Sequence, residues 1–458
     1  MAKTVNTLPV IEPANERVLA EVAQTDASGA AEAVGRAVAA YPAWRAVEPR
    51  DRSLLLTRVS GLIEERLERL AELEARNAGK PINDARAEIS IAADTFRYYA
   101  GAPERALGDT IPVSGGVAMT FREPLGVVAL ITPWNFPLTI AAWKLAPALA
   151  GGNTVVLKPA ELTPLTALQF ERLALDAGVP EGVVNVVVGP GRTCGTRLVE
   201  HPDVAKIAFT GSTEVGASIA AGAAQTIKRV TLELGGKSAN VIFADADLER
   251  AAAAAPMAMF ANAGQDCCAR SRILVERPAM DRFMDSLEEA VDALKVGDPL
   301  DEATEMGPLI SAGQRESVSS FVPDDAPVAI RGSVPDGPGF WFAPTVLCPV
   351  APTDRAATEE IFGPVATVIP FDDEAEAVRL ANDTIYGLSG SVWTRNGARA
   401  LRMARAIESG NLSLNSNSSV RVTTPFGGFK QSGYGRELGP HALDHYTEVK
   451  TVFYATEE

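Results

Sequence analysis

Residues 154–209 read TVVLKPAELTPLTALQFERLALDAGVPEGVVNVVVGPGRTCGTRLVEHPDVAKIAF. Three short apolar runs in this stretch, rich in valine, predict strands, and the two longer segments between them predict helices. The predicted order is strand Thr154–Leu157, helix Pro164–Ala177, strand Val183–Val188, helix Thr193–Glu200 and strand Lys206–Phe209. Strands that are separated by helices of this length indicate a parallel sheet with right-handed crossovers. The stretch therefore predicts an α/β fold.

The flanking sequence extends this alternation on both sides. The predicted upstream elements are helices Ala27–Trp44, Arg50–Asn77 and Ala85–Tyr99 and strands Val117–Phe121 and Val127–Ile131. Downstream, strand Val230–Leu234 ends in Gly235-Gly236, which predicts a domain boundary. The second α/β block comprises helix Leu248–Ala263 and strands near Ile273–Val275, at Val365–Pro370 and at Ser389–Thr394.

Two further segments differ from this alternation. Phe321–Gly339 is rich in Pro, Asp and Gly, which predicts a loop or a short irregular connection. The tail Thr447–Tyr454 alternates charged and apolar residues, which predicts an edge strand that could pair with another subunit.

Composition limits the classes of function. A chain of 458 residues with 47% apolar and 22% charged residues is typical of a soluble globular protein, here of roughly two to four domains. The net charge of −16 argues against sequence-independent nucleic-acid binding, which needs a basic surface. Four cysteines in so long a chain indicate a reducing compartment rather than a disulfide framework. No C-x-x-C spacing occurs, so no metal site is predicted.

Targeting and membrane segments are not predicted. Met1–Val10 lacks the apolar core of a signal peptide. The longest apolar region, Pro124–Gly151, is interrupted by three internal prolines and by Lys144, which argues against a membrane span. We therefore expect a cytoplasmic protein that does not contact membranes.

Glu233 and Cys267 are the strongest chemical signal. Glu233 precedes Gly235-Gly236, and Cys267 follows Gly264-Gln-Asp in a turn of small residues. A thiol that attacks a substrate and a carboxylate that then activates water against the resulting ester are the parts of two-step covalent catalysis. The three histidines lie at 201, 441 and 445, and none is placed like the partner of a Cys-His pair. Cys267 must then be activated in another way.

Two segments are candidates for binding a dinucleotide. Gly189-Pro190-Gly191 begins like a Rossmann fingerprint, but Cys194 stands where the third glycine belongs. Phe209–Gly216 is the better candidate, because a strand runs through Gly-Ser-Thr into a helix whose first amides can bind a phosphate. Taken alone, however, a serine at the position of Ser212 is more often simply a helix N-cap. Lys158 and Glu161, after a strand, predict either ribose contacts or a solvated ion pair.

The ordered set of these segments resembles the aldehyde dehydrogenase superfamily. The matching stretches are Thr132–Pro137, Leu157–Glu161, Phe209–Gly216, Leu232–Lys237, Gly264–Cys267, Glu359–Pro364 and Pro425–Lys430. The resemblance covers the chain from about Asn6 to Phe453. It implies that Cys267 is the nucleophile, that Glu233 is the general base and that the Asn135 amide stabilises the oxyanion. Because branches that transfer the acyl group to coenzyme A generally lack this base, Glu233 favours hydrolytic release of a free acid.

The resemblance also implies the cofactor and the architecture. The implied cofactor contacts are Trp134, Lys158, Glu161, Gly191, Gly211, Ser212, Gly216, Leu234, Glu360 and Phe362. The cofactor is expected to be NAD, with NADP possible, because Glu161 would repel a 2′-phosphate. We expect a Rossmann-like cofactor domain (1–106 and 125–234), a catalytic α/β domain (235–439) and small β strands for oligomerisation (107–124 and 440–458).

The substrate is the least determined part of the prediction. Phe136 and Trp143 are candidate aromatic residues of the substrate tunnel, and Tyr434 is equally compatible with tunnel and core. The polar loop 415–424 before Pro425 favours a polar aldehyde, such as an amino- or semialdehyde. Arg421 or Arg270 could bind its far end, or could simply face solvent or another subunit. We expect a homodimer or homotetramer. The alternatives are a scaffold that has lost catalysis and, less favoured, a cofactor-independent cysteine hydrolase.

Overall fold

The computed structural model describes residues 6–456, so the ends of the predicted domain ranges at 1–5 and 457–458 lie outside the described residues. The first half contains β1 (Thr7–Glu12), β2 (Arg17–Ala23), α1 (Ala27–Arg45), α2 (Pro49–Glu65), α3 (Leu67–Ala78), α4 (Ile82–Ala100), β3 (Thr110–Val113), β4 (Gly116–Pro124), β5 (Val127–Ile131), α5 (Pro137–Ala150), β6 (Thr154–Lys158), α6 (Gln169–Ala177), β7 (Val184–Val186), α7 (Thr196–Glu200), β8 (Val204–Thr210), α8 (Thr213–Ala224) and β9 (Arg229–Glu233).

The second half continues the alternation of strands and helices. It contains β10 (Ala239–Ile242), α9 (Leu248–Phe260), β11 (Arg272–Glu276), α10 (Met280–Asp292), α11 (Ala312–Ser319), β12 (Val328–Arg331), β13 (Thr345–Leu347), α12 (Arg355–Thr358), β14 (Val365–Phe371), α13 (Glu374–Asn382), β15 (Ser389–Trp393), α14 (Gly397–Ala406), β16 (Asn411–Leu414), β17 (Gly433–Tyr434) and β18 (Thr447–Ala455). No helix between residues 6 and 456 combines the length and the apolar content that a membrane span requires.

A six-stranded sheet in the order β17-β9-β8-β5-β6-β7 carries the opening stretch of sequence. Its strands are parallel except β17, which adds two residues antiparallel to β9. From β5 the chain adds β6 and β7 on one side and then returns to place β8 and β9 on the other. The strand order therefore reverses between β5 and β8, as in a Rossmann-like sheet.

Helices cover both faces of this sheet, which explains its unbroken apolar strands. Val128 and Leu130 of β5 pack into one buried cluster with α2–α6, whereas Val127, Ala129 and Ile131 pack into another with α1, α7 and α8. A strand that is buried on both faces needs apolar residues at every position. The predicted α/β class is confirmed.

A seven-stranded sheet in the order β12-β13-β14-β11-β10-β15-β16 forms the second block. It is parallel except at its edge, where β12 pairs antiparallel with β13. The prediction that 321–339 is wholly irregular is therefore wrong. The four residues of β12 lie between Pro- and Gly-rich flanks, and what makes them a strand is an antiparallel partner that the local composition does not show.

Several predicted helices have different bounds in the structure, and three differ most in the first half of the chain. The helix expected at 50–77 is two helices, α2 and α3, because the backbone leaves helical geometry at Arg66, whose guanidinium pairs with Asp176 at 2.7 Å. The helix expected from Pro164 begins only at Gln169. The helix expected from Thr193 begins as one wide turn at Gly191, with α7 following from Thr196.

A three-stranded antiparallel sheet, β18-β4-β3, stands apart from the two larger sheets. All nine residues of β18 pair with β4, which confirms the edge strand that the tail predicts. Ile111, Val113, Val449 and Phe453 lie on one face of this sheet, as the pairing register requires, and all four side chains are exposed. An exposed apolar face beside a free strand edge is typical of an interaction surface.

A buried arginine connects two helix ends behind the site. Arg52 donates from Nη1 to the Ala150 carbonyl at 3.2 Å and from Nη2 to the Arg45 and Val47 carbonyls at 3.3 and 3.0 Å. Ala150 ends α5 and Arg45 ends α1, so one guanidinium satisfies the free carbonyls of both C-termini.

Replacing this guanidinium should destabilise the protein. We expect Arg52→Met to cost about 2–4 kcal/mol, because buried carbonyls lose their donors. The measurement is the midpoint of thermal and urea unfolding. Arg50→Met is the matched control, since Arg50 lies exposed in the same helix. Equal midpoints for the two variants would contradict this role of Arg52.

Candidate active site

Four parallel strands of the six-stranded sheet end at the same edge. The pairing registers align the last residues of β5, β6, β8 and β9. Lys158 ends β6 and Glu233 ends β9, while Asn135 follows β5 and Ser212 follows β8. The carboxyl edge of such a sheet, where its strand order reverses, is where open α/β folds bind ligands. The topology thus collects most of the predicted site residues.

Glu233 and Cys267 line one cavity of about 230 Å³, between the carboxyl edge and the second block. Cys267 is partly buried, and the side chains of Asp266, Cys267 and Cys268 place their sulfur and carboxylate oxygen atoms within 4.8 Å of one another. The neighbouring Cys268 side chain, together with burial, raises the pKa of the Cys267 thiol well above its ordinary value. In the absence of other ligands Cys267 is therefore a thiol rather than a thiolate.

A left-handed turn delivers Cys267 to the cavity. The predicted helix 248–263 ends at Phe260, because Asn262, Ala263 and Gly264 have φ of 51°, 55° and 68°. Non-glycine residues in this region are strained, and such strain is concentrated at functional sites. Gly264 is also needed for space, since a Cβ there would lie 2.1 Å from the Gly363 carbonyl oxygen.

The glycine pair after β9 allows two close approaches. A Cβ on Gly236 would lie 2.2 Å from the Cys267 carbonyl oxygen, and one on Gly235 would lie 2.3 Å from Glu360 Oε2. The Gly236 N–H donates to Glu360 Oε1 at 2.8 Å. The pair thus holds the turn that carries Cys267 and the Glu360 carboxylate against the end of β9.

Glu233 is buried at 4% exposure, and neither of its carboxylate oxygens has a hydrogen-bond partner within residues 6–456. Burial, and then the nearby Glu437 carboxylate, raise the pKa of Glu233 well above its ordinary value. Glu437 itself pairs with the buried Lys144. Glu233 is therefore an acid with a high proton affinity, aimed into the cavity.

The Asn135 side chain is buried and is not itself among the residues that line the cavity. Its Nδ2 donates to the Gln265 carbonyl at 2.9 Å, which holds the side chain beside the turn that carries Cys267. A carboxamide nitrogen has two N–H groups, so one remains for another acceptor. The backbone carbonyl of Asn135 accepts hydrogen bonds from Lys80 Nζ at 2.9 Å and from Asn262 Nδ2 at 3.0 Å.

The predicted cofactor residues on the sheet side fit a dinucleotide. The buried Lys158 donates to the Pro159 carbonyl at 3.1 Å, and burial lowers the pKa of its ammonium group. Ser212 is an N-cap, as one prediction has it, with Oγ accepting from the Val215 N–H at 3.3 Å. The first turn of the 12-residue helix α8 still presents amides and a positive dipole end to an anion. Glu161 lies at the same edge, partly exposed.

The predicted cofactor-binding glycines differ in whether packing requires a glycine at their position. A Cβ on Gly211 would lie 2.4 Å from the Phe209 ring, and one on Gly216 would lie 2.5 Å from Leu234. Gly216 therefore lets α8 pack closely on the residue after β9. Gly191 has open space around it, so packing does not require a glycine there.

The other predicted cofactor residues come from the second block and from the turn after β5. Phe362 and Trp134 meet edge to face, with ring centroids 5.2 Å apart. Burial raises the pKa of Glu360 to about 7. A carboxylate beside an aromatic pair can hold a ribose and a flat ring, so these residues fit the nicotinamide half of a dinucleotide.

The predicted substrate-binding residues fall into two groups, those that line the cavity and those that do not. Phe136, Trp143 and Arg270 line the cavity, with Trp143 packed against Phe426 at 5.3 Å between ring centroids. Arg421 does not line it: its guanidinium is exposed and donates to Ser418 Oγ and to the Val420 carbonyl. Tyr434 is half-exposed on β17, so it belongs neither to the cavity nor to the core.

Comparison with known proteins gives this geometry a family. A model of the aldehyde dehydrogenase family matches residues 1–452. The chain belongs to the aldehyde dehydrogenase family. It is 42% identical to an aldehyde dehydrogenase of Emericella nidulans, over 98% of this chain and 92% of that protein. It is 43% identical to a betaine aldehyde dehydrogenase of Sinorhizobium fredii, over 97% and 93% of the two chains.

Solved structures agree with this assignment. An NAD-dependent aldehyde dehydrogenase from Sinorhizobium meliloti has a TM-score of 0.96 and 40% identity, covering 99% of this chain and 92% of that one. PnpE in complex with NAD has a TM-score of 0.96 and 43% identity, covering 99% and 95%. The predicted family, the enzyme class and the fold with a Rossmann-like domain are confirmed, and NAD is the cofactor of this aldehyde dehydrogenase family.

Lys80 is a site residue that sequence reasoning misses. It is buried, pairs with Glu88 Oε2 at 2.5 Å, and places its ammonium 4.5 Å from the centre of the Phe136 ring. Together with its bond to the Asn135 carbonyl, these contacts fix the turn that carries both predicted residues. The Gly79-Lys80-Pro81 context looks like an exposed turn, and only the convergence of chain segments reveals its burial.

Removing the Lys80 charge should leave a buried acid without its partner. We expect Lys80→Met to destabilise the aldehyde dehydrogenase by about 3–5 kcal/mol, because Glu88 stays in an apolar environment. Burial already raises the pKa of Glu88 to about 8. The double variant Lys80→Met/Glu88→Leu should recover part of the loss in the thermal midpoint. A double variant that is no more stable than Lys80→Met would refute the pairing.

Proposed function

We propose that this aldehyde dehydrogenase oxidises an aldehyde to the free carboxylic acid with NAD, through a thioester on Cys267 that water hydrolyses. The main support is that Cys267 and Glu233 line the same cavity, where the Glu233 carboxyl group has no hydrogen-bond partner among the described residues. The proposed substrate is a polar amino- or semialdehyde. The polar loop 415–424 supports this, since Asn417, Ser418 and Ser419 line the cavity wall.

The first step is addition of the Cys267 sulfur to the aldehyde carbon. The oxyanion formed would accept hydrogen bonds from the free N–H of Asn135 Nδ2 and from the Cys267 backbone N–H. Removing one such donor typically costs on the order of 10²–10³ in rate. Lys80 and Asn262 act on this step indirectly, because both hold the Asn135 backbone.

NAD supplies the hydride acceptor when it is bound. We propose that Lys158 and Glu161 bind the adenosine ribose and that Gly211 with Ser212 binds the pyrophosphate at the α8 N-terminus. Glu360 and Phe362, with Trp134, would orient the nicotinamide half. NADP is possible but disfavoured, because its 2′-phosphate would meet the Glu161 carboxylate.

Glu233 acts in the second step, the hydrolysis of the thioester. As a base it takes a proton from water, which then attacks the acyl carbon. It must first be deprotonated, because burial keeps its pKa high. The alternative function, a scaffold that has lost catalysis, gives no role to this set of residues.

Two variants separate the two chemical steps. We expect Cys267→Ala to give no NADH from any aldehyde. Glu233→Gln should still give a burst of about one NADH per site, followed by turnover slowed by about 10²–10⁴-fold, because acylation does not need the base. Stopped-flow absorbance at saturating NAD measures both phases. NAD binding without any burst in the wild-type protein would favour the inactive scaffold.

The pH dependence of turnover follows from the raised pKa of Glu233. Because the carboxyl group holds its proton at pH values where an ordinary glutamate is ionised, the active base form increases as pH rises. We expect the deacylation rate to rise from pH 6 to pH 9 and this rise to flatten in Glu233→Gln. A wild-type rate that is independent of pH over this range would exclude Glu233 as the base.

We also propose a cytoplasmic homo-oligomer, a dimer or tetramer, assembled through the three-stranded sheet. Val449→Asp/Phe453→Asp should lower the solution mass, because it puts charge on the exposed apolar face beside the β18 edge. Light scattering after gel filtration measures the mass. Leu401→Asp is the control, since Leu401 is 64% exposed on α14, outside that sheet. An unchanged mass of the β18 variant would move the interface elsewhere.

A further inference from the structure

Arg270 is buried in the wall of the cavity, three residues after the nucleophile. It is only 4% exposed, and its backbone N–H is fixed to the Ala258 carbonyl at 2.8 Å. Its Nη1 donates to the Cys268 carbonyl at 2.7 Å and its Nη2 to Ser419 Oγ at 2.9 Å. Its Nε is buried and has no hydrogen-bond partner in the described part of the chain. The guanidinium is thus held in a fixed position with donor capacity to spare.

No carboxylate between residues 6 and 456 lies within 4.0 Å of this guanidinium. The acids that line the same cavity are otherwise engaged. Glu88 pairs with Lys80, and Glu437 pairs with Lys144. Asp266 accepts the Cys268 N–H at 2.8 Å. Burial raises the pKa values of both Asp266 and Glu233, while the Arg270 guanidinium, beyond ion-pair distance, partly offsets this rise for Asp266.

A buried charge without a counter-charge is unfavourable, and an arginine stays protonated under all ordinary conditions. Of its five N–H groups, two donate to Cys268 and Ser419, and the other three have no acceptor among residues 6–456. A carboxylate is the group whose two oxygens match such a planar donor set. The Ser418 and Ser419 side chains add hydroxyl groups to the same wall. A bound anion would complete the charge balance of this wall.

We propose that Arg270 binds a carboxylate at the far end of the substrate, so that short semialdehydes are preferred over cationic aminoaldehydes. Phe136, Trp143 and Phe426 pack the methylene groups between the aldehyde and this carboxylate. The proposal rests on the proposed function and narrows its substrate class. It also sets this chain apart from relatives that are named for betaine aldehyde, whose far end is a cation.

The test compares three aldehydes of similar length: 4-oxobutanoate, butanal and 4-aminobutanal. At saturating NAD we expect wild-type kcat/KM to be highest for the anion, by about tenfold or more over butanal. In Arg270→Gln the ratio of anion to butanal should fall about tenfold or more, to near one, mainly through KM, whereas Arg270→Lys should keep part of it. The control Arg421→Gln removes an arginine that lies exposed in the loop 415–424 and does not line the cavity, and it should keep the wild-type ratio.

A binding measurement keeps the outcome independent of turnover. Succinate should slow alkylation of Cys267 by iodoacetamide in the wild type and in Arg421→Gln, but not in Arg270→Gln. A wild-type ratio near one, or an equal loss for both aldehydes in Arg270→Gln, would overturn the assignment while leaving the aldehyde oxidation intact. If no aldehyde yields NADH, the proposed function fails, and succinate protection alone then decides whether Arg270 binds an anion.

Discussion

The approach of the Cys267 carbonyl to Gly236 is the contact on which the site depends. A Cβ at position 236 would lie 2.2 Å from that oxygen. The backbone that follows β9 is therefore in direct contact with the backbone of the turn that carries Cys267. Gly235 permits the same for Glu360 at 2.3 Å. The two sheets are thereby joined at the carboxyl end of β9, where Glu233 already lies. Glu233, Cys267 and Glu360, the predicted nicotinamide contact, are therefore all positioned around one glycine pair.

Local sequence predicts what local physics determines. The strands of the six-stranded sheet can be recognised because burial on both faces requires apolar residues throughout. Gly235 and Gly236 can be recognised because they follow Glu233, and Gly264 because it precedes Cys267. The roles of Lys80 and Glu437 cannot be recognised from local sequence, because residues that they contact lie far away along the chain. Lys80 donates to the Asn135 backbone carbonyl, 55 residues away, and Glu437 pairs with Lys144, 293 residues away. Sequence likewise ranks Arg270 and Arg421 alike, and only packing places one inside the cavity.

Burial also bears on how Cys267, which has no histidine partner, would be activated as a nucleophile. The pKa values of Cys267 and Glu233 are both raised, so the cavity by itself holds a neutral thiol and a neutral acid. A thiolate next to an unpaired carboxylate would be strongly unfavourable there. The positive charge of an oxidised nicotinamide ring, which Glu360 and Phe362 are proposed to orient, would favour the thiolate. Activation of the nucleophile would then be coupled to cofactor binding.

The paired and unpaired charges of the cavity have different consequences. Lys80 contacts Glu88 and Lys144 contacts Glu437, so each of these four groups has a partner of its own. Arg270 and Glu233 form no ion pair among residues 6–456, so their charge states and contacts depend on what binds in the cavity. In a low-dielectric cavity an unpaired guanidinium attracts an anion more strongly than it would in water, and an unpaired carboxyl group holds its proton more tightly. The same exclusion of water would therefore select the far end of the substrate and set the pH at which its acyl group is released.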